Sequence, residues 1–401
     1  MVPNRSVEAA SGTLLRHLPE VDGLRGIAIL LVLWNHGPFL FRELPQFSGQ
    51  ESPWSFLGLF GRMSLGGWMG VDLFFVVSGF LITCILLGVR ERDGSLLVFW
   101  QRRALRIFPL AVLYLVALLV LARFGDPLKT LASFDAWPWY AFYLGNIHIA
   151  LYGWQPLAVM ILWSLAIEEQ FYLIWPLLSR LCDAKTLLRW SIGCIVLSPL
   201  MRAVTFAVAD YPATYVLTFC RFDALAAGAA VAVLYHSREH RDHMLEASKR
   251  LAAPALAVII LTLVVPFSPN MPQTRPWFFS VFGYSGLALS FGILLMASLD
   301  THGVIKMALT SRILTFLGRR CYGLYLWHVL AGGLAVAALQ QWAVGLYAHA
   351  LLWLVILISL TTGSWFLFEE PILRLKRFLP YTKTKPCVIE VPNPGLLGIS
   401  R

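Results

Sequence analysis

The chain has 401 residues, 58% of them hydrophobic and only 13% charged, with a mean hydropathy of +0.69. Soluble domains carry about 25% charged residues, so composition excludes an ordinary soluble globular protein and places the chain in lipid. A net charge of +10 would suggest a nucleic-acid partner in a soluble protein; here membrane topology accounts for it, and no nucleic acid is expected.

Apolar runs recur along the whole length, many of them long enough to cross a hydrocarbon core of about 30 Å. In chain order they predict ten spans, near 22–42, 66–88, 107–124, 159–179, 190–209, 217–236, 252–267, 278–299, 321–339 and 343–368. Backbone facing lipid must satisfy its own hydrogen bonds, so the expected fold is all-α, a polytopic transmembrane helical bundle of about ten spans. The aromatic segment 137–152 is shorter than a span. It reads as re-entrant or interfacial, and the topology changes if it crosses. The first twenty residues lack the apolar region of a cleavable signal peptide, so the first span is expected to act as the targeting element. The six cysteines, Cys84, Cys182, Cys194, Cys220, Cys321 and Cys387, are scattered without CxxC or metal-ligand spacing. They read as packing thiols, and no metal is expected.

The basic residues test this layout. With the N-terminus in the cytoplasm, 25 of the 32 Lys and Arg residues fall on cytoplasmic segments, the asymmetry expected of an even number of spans with both termini inside. Trp54, Trp68, Trp137, Trp139, Trp154 and Trp277 collect on the other side, as an interfacial belt does. The expected organisation is a cytoplasmic segment over 1–20, a transmembrane domain over 21–377 and a mobile, Pro-rich cytoplasmic tail over 378–401. No inverted internal repeat of the transporter kind is visible.

Ionisable side chains inside spans are costly and mark function by default. The first span carries Arg25 and His36. Eleven residues correspond to roughly 16 Å along a helix and close to three turns, so both share one face. Arg25 reads as an anion-binding group at the cytoplasmic edge or a snorkelling topology residue; His36, near mid-depth, reads as a catalytic base. Glu168 and Glu169 in the fourth span also fall near mid-depth, about 100° apart around the helix. One is expected to orient or charge-stabilise His36 and the other to pair with an arginine such as Arg202 or Arg221. In the second span Asp72 reads as functional or paired. Ser78-Gly79 reads equally as helix packing or as room for a linear acyl or pantetheine chain. The basic stretch Arg102-Arg103-Ala104-Leu105-Arg106 reads as a cytoplasmic loop that sets topology or clamps phosphate. Arg221 and Asp223 open the sixth span. Tyr325 and His328 lie in the ninth, where His328 is a second polar wall or only an interhelical hydrogen bond. These groups make a polar path with a basic cytoplasmic mouth, and spacing alone does not separate an enzyme from a transporter.

Seven segments in order, DGLRGIAILLVLWNH, GVDLFFVVSGFLIT, RRALRIFPL, WSLAIEEQFYLIWP, RFDALAAGAAVA, YGLYLWH and FEEP, resemble acyltransferase family 3, the membrane O-acyltransferases of surface polysaccharides and related acceptors. The resemblance runs from about residue 20 to 375. It implies a multi-pass enzyme of the bacterial cytoplasmic membrane, of the stand-alone type without an SGNH esterase domain. Its donor would be acetyl-CoA and its acceptor a hydroxyl of a glycan or glycolipid. The Arg-x10-His motif falls on Arg25 and His36, with His36 as the expected catalytic residue; Glu168 and Glu169 join it, and Arg102, Arg103 and Arg106 fall near the acyl-CoA side. The alternatives are an acyltransferase for a small molecule such as a macrolide, and a flippase of a lipid-linked glycan.

Overall fold

The computed structural model describes residues 18–41, 64, 66–90, 94–123, 136–209, 211–237, 239–264, 277–339, 342 and 345–381. Among them every regular element is helical. In chain order these are α1 (Pro19–Phe41), α2 (Met69–Val89), α3 (Ser95–Arg123), the short α4 (Trp137–Ala141) and α5 (Gly145–Tyr152), α6 (Leu157–Leu181, with a turn at Ile161), α7 (Ala184–Val208), α8 (Tyr211–Val216), α9 (Thr218–His236), α10 (Arg241–Val264), α11 (Tyr284–Ser298, entered through a π-helical turn at Phe279–Gly283), α12 (Gly303–Leu309), α13 (Arg312–Leu339), α14 (Leu346–Ser364) and α15 (Glu370–Arg374). Among the described residues eight helical stretches are long and apolar enough to cross a membrane. The other two expected spans fall on α1 and α10. The molecule is a polytopic helical bundle.

Segment 137–152 does not cross as a helix. It forms α4 and α5, of 5 and 8 residues, which at 1.5 Å per residue reach about 8 and 12 Å. Tyr143 between them has φ of 56°, the one positive-φ residue other than glycine among the described residues. Its carbonyl accepts a hydrogen bond from Gln170 Nε2 of α6 at 2.9 Å, so the chain turns back against α6.

Burial sorts the helices into a centre and a periphery. In α2, 72% of the apolar stretch is buried, against 28% in α7 and 22% over Tyr347–Phe378. The outer helices expose Val196, Leu200, Val204, Leu261, Leu351 and Val355, the apolar coat that lipid requires. The central contacts are α1 with α13, α2 with α9, and α1 with α2. Small residues make them close. A Cβ on Gly26 of α1 would overlap the Leu314 carbonyl, and one on Gly318 of α13 would overlap that of Asp22. A Cβ on Gly79 of α2 would overlap the carbonyl of Leu225, and one on Gly228 of α9 that of Val76. Such backbone-to-backbone approach gains packing where lipid supplies no hydrophobic drive between helices. The result is that α1 lies between α2 and α13, with Arg25 and His36 meeting Cys321 and His328 of α13.

Two buried ion pairs brace the centre. Arg221 Nη2 lies 2.5 Å from Asp72 Oδ1, joining α9 to α2, and Arg202 Nη1 lies 2.8 Å from Asp223 Oδ2, joining α7 to α9. All four side chains are at most 1% exposed. Arg202 also donates to the carbonyls of Val281 and Cys220 and to Ser285 Oγ, and Ser285 Oγ in turn donates to Asp223 at 2.7 Å. Both arginines thus take aspartates as partners, not Glu168 or Glu169 as the sequence reading expects.

Candidate active site

On α1, His36 stands about three turns from Arg25 on the same face. Its Nδ1 lies 3.1 Å from the Val32 carbonyl oxygen, one turn earlier, and 3.1 Å from Nε2 of His328 on α13. The two rings are 4.9 Å apart between centroids and tilted by 44°. His328 is fully buried. Its Nδ1 donates to the Tyr325 carbonyl at 2.5 Å, and its own carbonyl accepts from Trp353 Nε1 at 2.9 Å. The Tyr325 hydroxyl meets the Ile161 carbonyl at 2.8 Å and Ser164 Oγ at 2.7 Å, both on α6. Among the described residues no carboxylate bonds to His36, and its Nε2 has no hydrogen-bond partner. That nitrogen is the one available to a reacting group. The companion of His36 is therefore a histidine, where the sequence reading expects a glutamate.

Glu168 has other partners. Its Oε1 accepts from Ser78 Oγ of α2 at 2.8 Å, and its Oε2 lies 3.0 Å from the Tyr172 hydroxyl, which is 3.2 Å from Ser78 Oγ. Tyr172 lies outside the residues singled out by sequence; its i+4 spacing from Glu168 is the one signal that could have found it. Arg103 and Arg25 are the cations within electrostatic range of Glu168. Glu169 keeps Oε1 buried and without a hydrogen bond, with Arg103 as its nearby cation.

On the Arg25 side the cations gather. Arg25 donates to Cys321 Sγ of α13 at 3.1 Å and lies 3.7 Å from Asp22. Arg106 faces both Arg25 and Arg103, and Lys376 adds a further charge near Arg103 and Arg106. Arg103 lies over the Tyr172 ring at 5.3 Å. Among the described residues neither Arg103 nor Arg106 forms a salt bridge. Asp22, Glu168, Glu169 and Glu369 lie within electrostatic range of these cations, but Arg103 and Arg106 make no direct carboxylate contact, which leaves their guanidiniums open to an anion with several oxygens. Cys321 and Lys376 carried no sequence signal of their own.

One expectation is corrected, and two alternatives that the sequence leaves open are resolved, toward packing at Gly79 and pairing at Asp72. Arg102, Arg103 and Arg106 are not on a loop: they occupy the first half of α3, with Arg106 one turn from the other two, and their partners tell them apart. Arg102 turns away to donate to the carbonyls of Lys376 and Leu379 at 3.2 and 2.9 Å, with Tyr381 at 5.4 Å beneath its guanidinium. Gly79 makes no room for a chain, because the Leu225 backbone fills the space beside it; Ser78 alone of that pair reaches the polar path. Asp72, Arg221 and Asp223 sit in the bracing ion pairs and do not touch His36 or Glu168. The segment 43–63 and the tail beyond 381 lie outside the described residues.

Comparison with known proteins places this geometry in a family. Residues 18–369 match the profile described as an acyltransferase domain. Peptidoglycan O-acetyltransferase OatA of Listeria monocytogenes is 30% identical over 332 residues, covering 78% of this chain and 49% of that protein. Putative peptidoglycan O-acetyltransferase YrhL of Bacillus subtilis is 29% identical over 378 residues, covering 89% and 55%. O-acetyltransferase OatA of Staphylococcus aureus is 27% identical over 338 residues, covering 78% and 50%. The chain thus spans about half the length of these curated relatives. No solved structure matches it. With the family's profile running over nearly all of the bundle that holds the His36 and arginine sites, the chain belongs to acyltransferase family 3.

Proposed function

We propose that this chain is a membrane O-acetyltransferase that moves an acetyl group from cytoplasmic acetyl-CoA to a hydroxyl of a cell-surface or lipid-linked glycan. The observation that carries this reading is the pairing of two sites on one face of α1. At one end Arg25, Arg103 and Arg106 gather, and among the described residues neither Arg103 nor Arg106 is held in a salt bridge. About 16 Å along the helix, His36 offers an unengaged ring nitrogen. A donor with phosphates at one end and a thioester at the tip of a long arm has the same polarity. The names of the relatives, which specify peptidoglycan O-acetylation, support a glycan as the acceptor class.

In this reading Arg25, Arg103 and Arg106 hold the donor's phosphates through charge-assisted hydrogen bonds. The arm runs past Ser78, Glu168 and Tyr325 toward His36. His36 Nε2 takes the proton of the acceptor hydroxyl as its oxygen attacks the thioester carbonyl carbon. The C–S bond breaks, the electron pair leaves with sulfur, and the imidazolium returns the proton to the thiolate. The products are an acetyl ester and free CoA, with no net proton change. In this reading the donor comes from the cytoplasmic side and the acceptor from the other.

The test is turnover of labelled acetyl-CoA by purified protein in detergent, with and without candidate glycans, comparing wild type with His36→Ala. The expected result is a loss of about 10²–10⁴ in rate with donor binding retained. Full transfer by His36→Ala refutes His36 as the base. Absence of donor binding and turnover in wild type refutes the enzyme reading and favours a glycan transporter.

A further inference from the structure

The hydrogen bonds around the two histidines fix where their protons sit. A carbonyl oxygen only accepts, so His328 Nδ1, 2.5 Å from the Tyr325 oxygen, carries a proton. A neutral imidazole has one ring proton, which leaves a lone pair on His328 Nε2. That lone pair faces His36 Nδ1 at 3.1 Å. The Val32 oxygen approaches the same atom at 3.1 Å. Two acceptors therefore converge on His36 Nδ1, and the opposite tautomer would set its lone pair against both.

We propose that His328 is a positioning residue that holds His36 in the Nδ1-protonated tautomer and so presents the lone pair of His36 Nε2 to the reacting hydroxyl. The proposal rests on the reading of His36 as the base. The second acceptor matters because Val32 alone is weak: its carbonyl belongs to α1 itself and is already engaged in the helix. His328 is rigid enough for the task. It is fully buried, its ring is tied to the Tyr325 carbonyl and its backbone is tied to Trp353. The Tyr325 side chain one turn away is fastened to α6 at Ile161 and Ser164. When His36 takes a proton at Nε2, Nδ1–H keeps both acceptors, so the new cation is stabilised without rearrangement. This is the task a carboxylate performs in a Ser-His-Asp triad, carried out here by a neutral ring.

The test uses the full-length protein in detergent, labelled with ¹⁵N-histidine, with the His36 signals assigned by their loss in His36→Ala. Wild type should show His36 with a protonated Nδ1 and an unprotonated Nε2. His328→Phe keeps the ring volume and removes the acceptor. It should shift His36 toward a mixture of tautomers and lower kcat about 100-fold, with the KM for acetyl-CoA unchanged. His328→Gln, whose amide oxygen accepts from Nδ1–H, should restore the tautomer and most of kcat. A wild-type tautomer and wild-type kcat in His328→Phe overturn the proposal. Equal loss of kcat in both variants with the wild-type tautomer retained also overturns it, because His328 then serves packing alone. Failure of the base reading has a separate signature, full activity in His36→Ala, whereas the tautomer is read from the nitrogen signals whatever the reaction.

Discussion

Replacing Asp72 with alanine isolates Arg221 inside the bundle. The guanidinium has one hydrogen bond to a carboxylate, at 2.5 Å, while its Nε and Nη1 have no hydrogen-bond partner. The rings of Tyr284, Tyr215 and Phe75 surround it, with centroids at 4.4, 5.1 and 5.9 Å, and Asp223, already held by Arg202, is the one other carboxylate in electrostatic range among the described residues. At 4 Å and an effective dielectric constant near 20, two unit charges attract by about 4 kcal/mol, and breaking a buried pair by removing one partner costs about 3–5 kcal/mol. The rings retain about 2 kcal/mol of cation–π attraction for the orphaned cation, but they contribute in wild type as well and do not offset the change. Asp72→Ala is therefore expected to destabilise by about 3–5 kcal/mol. The double variant Asp72→Leu/Arg221→Met should recover most of that, since an apolar pair of similar volume avoids burying charge. Denaturant unfolding of the purified protein in micelles measures both. The reasoning is refuted if Asp72→Ala costs less than about 1 kcal/mol, the scale of a solvent-exposed pair, or if the double variant is no more stable than the single one. Asp223→Ala provides an internal comparison. Arg202 keeps the Val281 and Cys220 carbonyls and Ser285 Oγ, so its loss should be smaller than that of Asp72→Ala.

Two further expectations concern packing and the basic cluster. Gly79→Ala and Gly228→Ala each drive a methyl group into a carbonyl of the facing helix and should cost about 1–3 kcal/mol or more, whereas Gly88→Ala, with nothing within 4 Å, should stabilise by up to about 1 kcal/mol; the same unfolding measurements decide. Arg103→Gln and Arg106→Gln should raise the KM for acetyl-CoA with kcat little changed, while Arg102→Gln should leave that KM near wild type because its guanidinium is engaged with Lys376 and Leu379. Steady-state kinetics at saturating acceptor separates these outcomes, and an equal rise in all three variants would show that the carbonyl contacts of Arg102 do not sort them.

Most of the spans were legible because hydropathy reports the membrane directly: eight of the ten apolar runs fall on helices long and apolar enough to cross, and the described parts of the other two lie on α1 and α10. Their ends were less so. The expected third span begins at 107, where hydrophobicity rises, yet α3 begins at Ser95 after Gly94 with φ of 68°. Hydropathy marks where lipid begins, and nothing between 95 and 108 breaks a helix, so the arginines ride on its polar extension. The partners of the buried charges were harder still. The four groups Asp72, Arg202, Arg221 and Asp223 balance among themselves, which leaves Glu168 and Glu169 free for the path, but pairing depends on which helices touch. That is decided by backbone contact at glycines such as Gly26, Gly79, Gly228 and Gly318. Their smallness is visible in sequence; the helix each one meets is not. The His36–His328 contact, 292 positions apart in the chain, follows from the same α1–α13 packing.

The absence of a carboxylate beside His36 has a physical rationale in the depth of the site. A glutamate hydrogen-bonded to a neutral histidine would hold a standing negative charge well inside the bundle, and an isolated charge there is expensive. The charges that the centre does tolerate, Asp72 with Arg221 and Asp223 with Arg202, are neutralised pairwise. Glu168 lies toward the cations Arg25 and Arg103, where a negative charge is compensated. On the proposed reading, a histidine as the orienting group sets the tautomer of His36 while keeping the resting pair neutral, and charge forms only when His36 takes a proton, the moment at which the attacking oxygen develops the opposite charge beside it. On that reading the bundle separates its electrostatic tasks: paired aspartates and arginines brace the helices, Arg103 and Arg106, held in no salt bridge among the described residues, take the anion, and the reacting centre stays neutral until proton transfer.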